Sequence, residues 1–391
     1  MGSASEMIQI DALIVGAGFS GITALYNLRK QGLSAKVFES ASDFGGVWYW
    51  NRYPGARVDS ESPFYQLSIP EVWKTWNFSQ RFPDRPELFR YFAHIDRVLN
   101  VRKDTFFNTT VVEVTWNDDE GQWTVRSDTG RTGKCKYLIL ASGLLYKKYI
   151  PDFPGLAVFK GSVVHSTAYP EGLDLKGKKV AIFGAGAIAV QITSEVAKEA
   201  EQLTVFVRRP SNAMPMRNRE LTAEEQAQWK GYYPQLFDAC RSSLNGFPYR
   251  RNQRRSFVEA TPEERQAYFE EIWSRGAFNF LLCNYTDLLT SPEASKAVYE
   301  FWKKKTRARL TDPEKQAIMA PDEMPFFFGT RRSPLEHDYY EMLNQDHVQI
   351  VDMKAVPLRT FDAKGVVMQD DSSHEFDVAI FATGFDTYTG S

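Results

Sequence analysis

The sequence predicts an α/β protein built from two strand–turn–helix–strand units and a helical insertion, and three observations predict it. A β-rich run at residues 8–15 passes directly into Gly16-Ala17-Gly18-Phe19-Ser20-Gly21. A second such run, residues 179–183, passes into Gly184-Ala185-Gly186-Ala187-Ile188-Ala189. Between residue 212 and about 320 the patterning becomes helical. A chain of 391 residues is too long for one ordinary core and long enough for two.

In the first unit, residues 22–30 have helical composition, Gly32 breaks the helix, and residues 35–39 read as the next strand. Each glycine serves a physical need. Gly16 permits a tight turn, Gly18 lets the backbone approach a pyrophosphate, and Gly21 lets helix and strand pack closely. Phe19 and Ser20 lie in the same turn. The helix N-terminus offers free N–H groups and a positive dipole end to the pyrophosphate. Glu39 closes the second strand, placed to accept hydrogen bonds from a ribose 2′-hydroxyl. Strand, turn, helix, strand and terminal acid in this order read as a Rossmann-like dinucleotide site.

The second unit repeats the pattern, with a helix over residues 190–200 and a strand over 203–207; Ala189 stands for the third glycine, and its methyl still allows close packing. The units differ at the end of the second strand. Where the first has Glu39, the second has Arg208 followed by Arg209. A carboxylate repels a 2′-phosphate, whereas a guanidinium binds it with paired, charge-assisted hydrogen bonds. The second site is therefore expected to take NADPH rather than NADH, and the first, with its acid, to suit the ADP half of FAD.

Residues 136–143 and 377–385 are similar strands, each ending in a small residue and Gly, on either side of the second unit. They predict a discontinuous arrangement: residues 1–143 as the first segment of an FAD-binding domain, 144–376 as an NADP-binding domain carrying the insert, and 377–391 as a return to the first domain. Thr261-Pro262-Glu263-Glu264 and Ser291-Pro292-Glu293 read as helix starts within the insert. Arg250, Arg251, Arg254 and Arg255 form a local basic cluster, read as a solvated face rather than a nucleic-acid site.

Composition excludes other classes. The hydrophobic share of 43% and charged share of 25% fit a globular protein, and a net charge of −2 gives no sequence-wide attraction to nucleic acid or acidic membranes. Cys135, Cys240 and Cys283 form no paired motif, so neither a disulfide framework nor a dithiol reductase is expected; no metal site is expected either. With no basic-then-apolar leader at the N-terminus and no run long enough to span a membrane, the expected location is the cytoplasm. Oligomeric state is not readable.

Residues 43–59, Asp43-Phe44-Gly45-Gly46-Val47-Trp48-Tyr49-Trp50-Asn51-Arg52-Tyr53-Pro54-Gly55-Ala56-Arg57-Val58-Asp59, closely resemble the segment after the FAD turn in type I Baeyer–Villiger monooxygenases. Residues 159–170, with Phe159, Gly161, His165 and Tyr169, fit that family's FxGxxxHxxx(aromatic) fingerprint, Tyr169 standing for the commoner Trp. Residues 325–341, including Gly329-Thr330-Arg331-Arg332, and the closing Ala382-Thr383-Gly384-Phe385 also match, so the resemblance covers essentially the whole chain.

The resemblance implies an enzyme that reduces FAD with NADPH, adds O2 at the flavin C4a, and inserts one oxygen beside a ketone carbonyl to give an ester or lactone. It makes Arg332 the catalytic arginine, Asp59 the carboxylate that positions it, and Arg331 a contact to the NADP 2′-phosphate. On spacing alone Arg331 and Arg332 read as surface charges and Asp59 as a helix cap; only the motif match reverses this. Gly46, Val47, Trp48, Trp50, Tyr53, Asp59 and Tyr65 are expected on the flavin side, and Ala187, Ile188 and Gln191 join Gly184 and Gly186 on the NADP side. His165 is assigned to structure or gating rather than proton transfer. The family continues past the Ala-Thr-Gly-Phe strand, so this chain is expected to lack the segment that completes the FAD domain and substrate pocket. Two alternatives stand beside this reading: a monooxygenase acting on amines or sulfides, and a non-catalytic NADPH-binding protein.

Overall fold

The computed structural model describes residues 7–249 and 256–387; the arginines at 250, 251, 254 and 255 lie outside them. The first sheet has six strands, β1 (Met7–Val15), β2 (Ala35–Phe38), β3 (Thr105–Phe106), β4 (Val111–Asn117), β5 (Gln122–Ser127) and β6 (Thr132–Leu140), in the order β3-β2-β1-β6-β5-β4. β1 is parallel to β2 and β6, while β4, β5 and β6 form an antiparallel meander. Ala12, Leu13 and Ile14 are apolar in succession and buried, the pattern of a strand covered on both faces. Four helices accompany this sheet: α1 (Phe19–Lys30), α2 (Val47–Trp50), α3 (Pro70–Trp73) and α4 (Arg85–Leu99). The Asp84 carboxylate accepts from Glu87 N at 2.9 Å to start α4, and Asn100, left-handed at φ 47°, ends it.

The second unit follows with β7 (Ser162–His165), β8 (Lys179–Phe183), α5 (Ala187–Val196) and β9 (Gln202–Val207). Two short parallel strands, β10 (Met214–Pro215) and β11 (Leu335–Glu336), bracket the inserted helices. These are α6 (Ala223–Lys230), α7 (Tyr233–Arg241), α8 (Pro262–Ser274), α9 (Asn279–Leu282), α10 (Pro292–Arg307) and α11 (Pro313–Met319). α8 and α10 start at Thr261 and Ser291, whose hydroxyls accept from the backbone N–H of the third residue of each helix. Trp302, fully buried in α10, donates its indole N–H to Ala213 O at 2.8 Å and ties the insert to β10.

The chain then adds α12 (Tyr339–Leu343), β12 (Val348–Asp352), the antiparallel strands β13 (Leu358–Phe361), β14 (Gly365–Met368) and β15 (Ser373–Glu375), and β16 (Val378–Phe381). The second sheet is fully parallel in the order β12-β9-β8-β16-β7. Phe361 and Phe376, around the β13–β15 ribbon, pack on Phe183, Phe206 and Phe381 and close one face of this sheet.

One sequence expectation is corrected here. The strand read as a return to the first domain, β16, lies inside the second sheet, with Val378 opposite both Val180 and Ser162. Val378, Ala379, Ile380 and Phe381 are all buried and apolar, so the strand needs neighbours on both edges. Beside β1 there is no vacancy, since β2 and β6 already flank it. The likeness of residues 136–143 and 377–385 reflects equivalence instead: β6 lies beside β1 as β16 lies beside β8. Beyond β16 the chain approaches the 144–149 connection, where Tyr149 N donates to Gly384 O at 3.0 Å and Asp386 N to Lys147 O at 3.0 Å. Among the described residues no helix is long and apolar enough to cross a membrane.

Candidate functional site

Each glycine turn is built by its own sheet. Gly16 has φ +103°, and a Cβ there would sit 2.5 Å from Ala141 O at the end of β6; Gly184 has φ +138°, and its Cβ would sit 2.6 Å from Ala382 O at the end of β16. A Cβ on Gly21 would meet Gly16 O at 1.9 Å, so only glycine lets α1 fold back onto the turn. Both α1 and α5 start at a glycine, Gly18 and Gly186, with no side-chain cap and no acidic residue in the first turn. Their leading N–H groups are left for an anion.

Around the first turn, Gly46 at φ +52° brings its backbone so close that a Cβ on it would lie 3.1 Å from Gly18 Cα. Val47 follows it at the head of α2, and Ser20 is exposed at the head of α1. Trp48 is buried and donates its indole N–H to the Tyr65 hydroxyl at 2.9 Å. Tyr65 in turn meets Phe19 edge-on at 5.7 Å between centroids, and burial pushes its phenol up to about 12. Trp50 is half-buried, edge-on to Tyr146. Glu39 is buried and accepts from Ala17 N at 2.6 Å and Ala41 N at 2.7 Å. The acid expected on a ribose thus also holds the turn's own backbone. A carboxylate offers about four acceptor positions, which leaves capacity for hydroxyls.

Around the second turn, Gly186 and Ala187 are exposed, Ile188 is half-buried, and a Cβ on Gly186 would meet nothing within 4 Å. The close-approach position is therefore open, as a pyrophosphate requires. Arg208 and Arg209 are exposed immediately after β9. Arg331 is exposed, with its guanidinium 4.9 Å from the Phe326 ring centre.

Asp59 and Arg332 form an ion pair at 2.6 Å. Arg332 also lies over the Phe278 ring at 5.5 Å, while 65% of its side chain remains exposed. Asp59 acts on two tyrosines: its charge helps raise the phenol of Tyr65, which packs at the first turn, and that of Tyr53, after burial in both cases. Tyr53 donates to the Gln191 side chain of α5 at 2.9 Å. The carboxylate thus lies between groups anchored at the two turns.

Residues 10–220 match the family model described as flavin-binding monooxygenase-like. The FAD-binding monooxygenase acrE of Aspergillus aculeatus is 47% identical over 99% of this chain. The chain belongs to the flavin-binding monooxygenase-like family. Cyclopentanone 1,2-monooxygenase of Comamonas sp. is 38% identical over 98% of it. A solved OTEMO complex with FAD and NADP has a TM-score of 0.92 at 34% identity, covering 97% of this chain and 71% of that one. The chain spans 65% of the acrE relative and 69% of the cyclopentanone enzyme. The resemblance drawn from residues 43–59 and 159–170 holds.

In this flavin-binding monooxygenase-like chain His165 is buried, its Nδ1 2.9 Å from the Thr167 hydroxyl and its Nε2 3.2 Å from Gly384 O. Thr167 N also points at Nδ1, so Nε2 carries the proton and donates to the carbonyl. Burial holds the imidazole below its usual value. Both nitrogens are occupied, and the ring joins the fingerprint to the connection after β16. Several contacts had no sequence signal. The Glu61 carboxylate accepts from Arg81 and, at 2.7 Å, from Tyr249, joining the insert to the first domain. Phe64, Phe247, Tyr249 and Phe278 form an aromatic wall that ends under Arg332. Spacing along the chain does not relate residues so distant. Asn212 is buried with neither amide atom bonded, a burial the fold alone does not explain. Among the described residues, no group of three or more His, Cys, Asp and Glu side chains is placed to hold a metal ion.

Proposed function

We propose that this chain carries the dinucleotide sites and reacting pair of an FAD- and NADPH-dependent Baeyer–Villiger monooxygenase. One atom of O2 enters the bond beside a ketone carbonyl to give an ester or lactone, the other leaves as water, and NADPH supplies two electrons. The observation that carries this reading is the Asp59–Arg332 pair set between two unlike dinucleotide turns. The chemistry that bound FAD supplies is the activation of O2 with electrons drawn from NADPH.

The chain's own residues do the rest. Gly16, Gly18, Phe19, Ser20 and Gly21 take the FAD pyrophosphate, Glu39 the ribose, and Gly46, Val47, Trp48, Trp50, Tyr53 and Tyr65 the flavin side. Gly184, Gly186, Ala187 and Ile188 take the NADPH pyrophosphate, and Arg208, Arg209 and Arg331 its 2′-phosphate. Arg332 holds negative charge on the reacting oxygen, and Asp59 aims it. The substrate is a small-molecule ketone met in the cytoplasm. A 38% identical cyclopentanone 1,2-monooxygenase supports the ketone class.

The test is the visible spectrum of the purified protein, then NADPH in air with a panel of ketones, sulfides and amines under 18O2. Flavin absorbance and one labelled oxygen in an ester are expected. Flavin-loaded protein that consumes NADPH but makes no ester from any ketone would overturn the reading. Label on sulfur or nitrogen alone would favour heteroatom oxygenation, and tight NADPH binding without flavin a non-catalytic role.

A further inference from the structure

Gln191 was expected on the NADP side, yet its polar atoms leave that domain. Its Oε1 accepts from the Tyr53 hydroxyl at 2.9 Å and from Arg57 N at 3.4 Å, and its Nε2 donates to Arg57 O at 3.1 Å. One amide therefore holds both sides of a single residue's backbone, as a neighbouring β-strand does. Two residues before Arg57, Gly55 lies flat on α5: at φ +78°, a Cβ there would sit 2.8 Å from Gln191 O and 2.9 Å from Glu195 Cγ.

The far side of the segment is fixed as well. The Arg57 guanidinium donates to Gln80 Oε1 and, at 2.6 Å, to Phe82 O, and Arg85 N donates to Ala56 O at 2.9 Å. Two residues beyond Arg57 stands Asp59, bound to Arg332. Burial, and then the charge of Asp59, keep the Tyr53 phenol protonated, so it remains a donor to Gln191.

We infer that Gln191 is a positioning residue: it latches residues 53–59 to the helix that begins at the second dinucleotide turn, so that the placement of α5 sets Asp59 and, through it, Arg332. This rests on the proposed oxygenation reading for its consequence, though not for its geometry. Gln191 touches neither reacting group; it acts through the peptide of Arg57.

The test uses flavin-loaded, oxidised protein and the substitutions Gln191→Leu, Gln191→Glu, Tyr53→Phe and the Tyr53→Phe/Gln191→Leu pair. Three quantities are read: the Kd for NADP+ by calorimetry, amide hydrogen exchange across 53–59, and ester formed per NADPH consumed. Loss of the hydrogen bonds that Gln191 makes to Tyr53 and Arg57 predicts exchange at 53–59 roughly tenfold or more faster in Gln191→Leu, with the NADP+ Kd within about threefold of wild type. Ester per NADPH falls and peroxide rises. Gln191→Glu, isosteric but without the donor to Arg57 O, falls between, and the double variant is no worse than Gln191→Leu.

Weaker NADP+ binding by more than about tenfold, with exchange at 53–59 unchanged, overturns the inference and returns Gln191 to direct dinucleotide contact. A wild-type-like Gln191→Glu overturns it too. If wild-type protein makes no ester while the exchange and Kd results come out as expected, the latch stands and the proposed reaction falls.

Discussion

Arg332 is tethered by Asp59 yet leaves 65% of its side chain open, so its charge is aimed without being consumed. Arg332→Ala is therefore expected to keep NADPH oxidation while ester formation falls roughly 10²–10³-fold, the usual cost of removing one charge-stabilising donor; product and peroxide yields measured together decide it. Arg208 holds the place in its unit that Glu39 holds in the other, and the proposed reading gives it the NADPH 2′-phosphate. Arg208→Ala should raise the NADPH KM by about 1.5–3 kcal/mol, roughly 10–100-fold, and leave the NADH KM nearly unchanged; an equal effect on both cofactors would assign it elsewhere. His94, His165 and His374 are held below the usual imidazole value, first by burial in each case. Their neutral forms belong to the fold, so below about pH 6.5 the unfolded chain takes up protons that the fold resists. Stability is full above that pH and falls as pH drops toward the lowered folded values. The urea midpoint should decline from pH 7 to 5, with a shallower slope in His165→Gln; an unchanged slope would remove His165 from the account.

The two turns use the same motif with different steric margins, and this is testable at the level of the element. Gly21→Ala places a methyl 1.9 Å from Gly16 O, against backbone that cannot yield, whereas Gly186→Ala, at an ordinary negative φ, meets nothing within 4 Å. The first should lose about 1–3 kcal/mol of stability or more. The second should unfold like wild type and bind NADPH at least tenfold less tightly, because its methyl occupies the pyrophosphate approach. Melting curves and NADPH titration of the two variants separate these outcomes. Turns were readable because local sequence alone builds them. The place of β16 was not: an apolar run says that a strand is buried, and only the competition for neighbours says in which sheet. The aromatic wall under Arg332 was illegible for the same reason, since Phe64, Phe247 and Phe278 come from three separate stretches of chain.

At the scale of the whole molecule, the insert must be fastened to the frame that presents Arg332, and Arg309 does this. It stands just past α10 and forks onto both oxygens of Glu336 in β11, at 2.5 and 2.9 Å, while also bonding Glu341 in α12 at 2.6 and 2.7 Å. The Glu336 side chain is 1% exposed and that of Glu341 is 47% exposed, so the inner pair carries the energetic weight. Glu336 follows Arg332 by one short stretch of chain, so the same fork also limits how far Arg332 can move. Taking away only the cation strands a buried carboxylate, which costs about 3–5 kcal/mol in comparable pairs, whereas replacing both partners by apolar groups of similar volume recovers most of the loss. Arg309→Met is thus expected to lower stability by about that amount, and Arg309→Met/Glu336→Leu to regain most of it. Ester yield per NADPH should stay depressed in the double variant, because packing restores the fold but not the fork's hold on the Arg332 segment. Chemical denaturation and product yield on the same samples test both halves: a double variant no more stable than Arg309→Met would mean that the stranded Glu336 carboxylate is not what destabilises the single variant, and a normal ester yield in the double variant would mean that the fork does not hold the Arg332 segment.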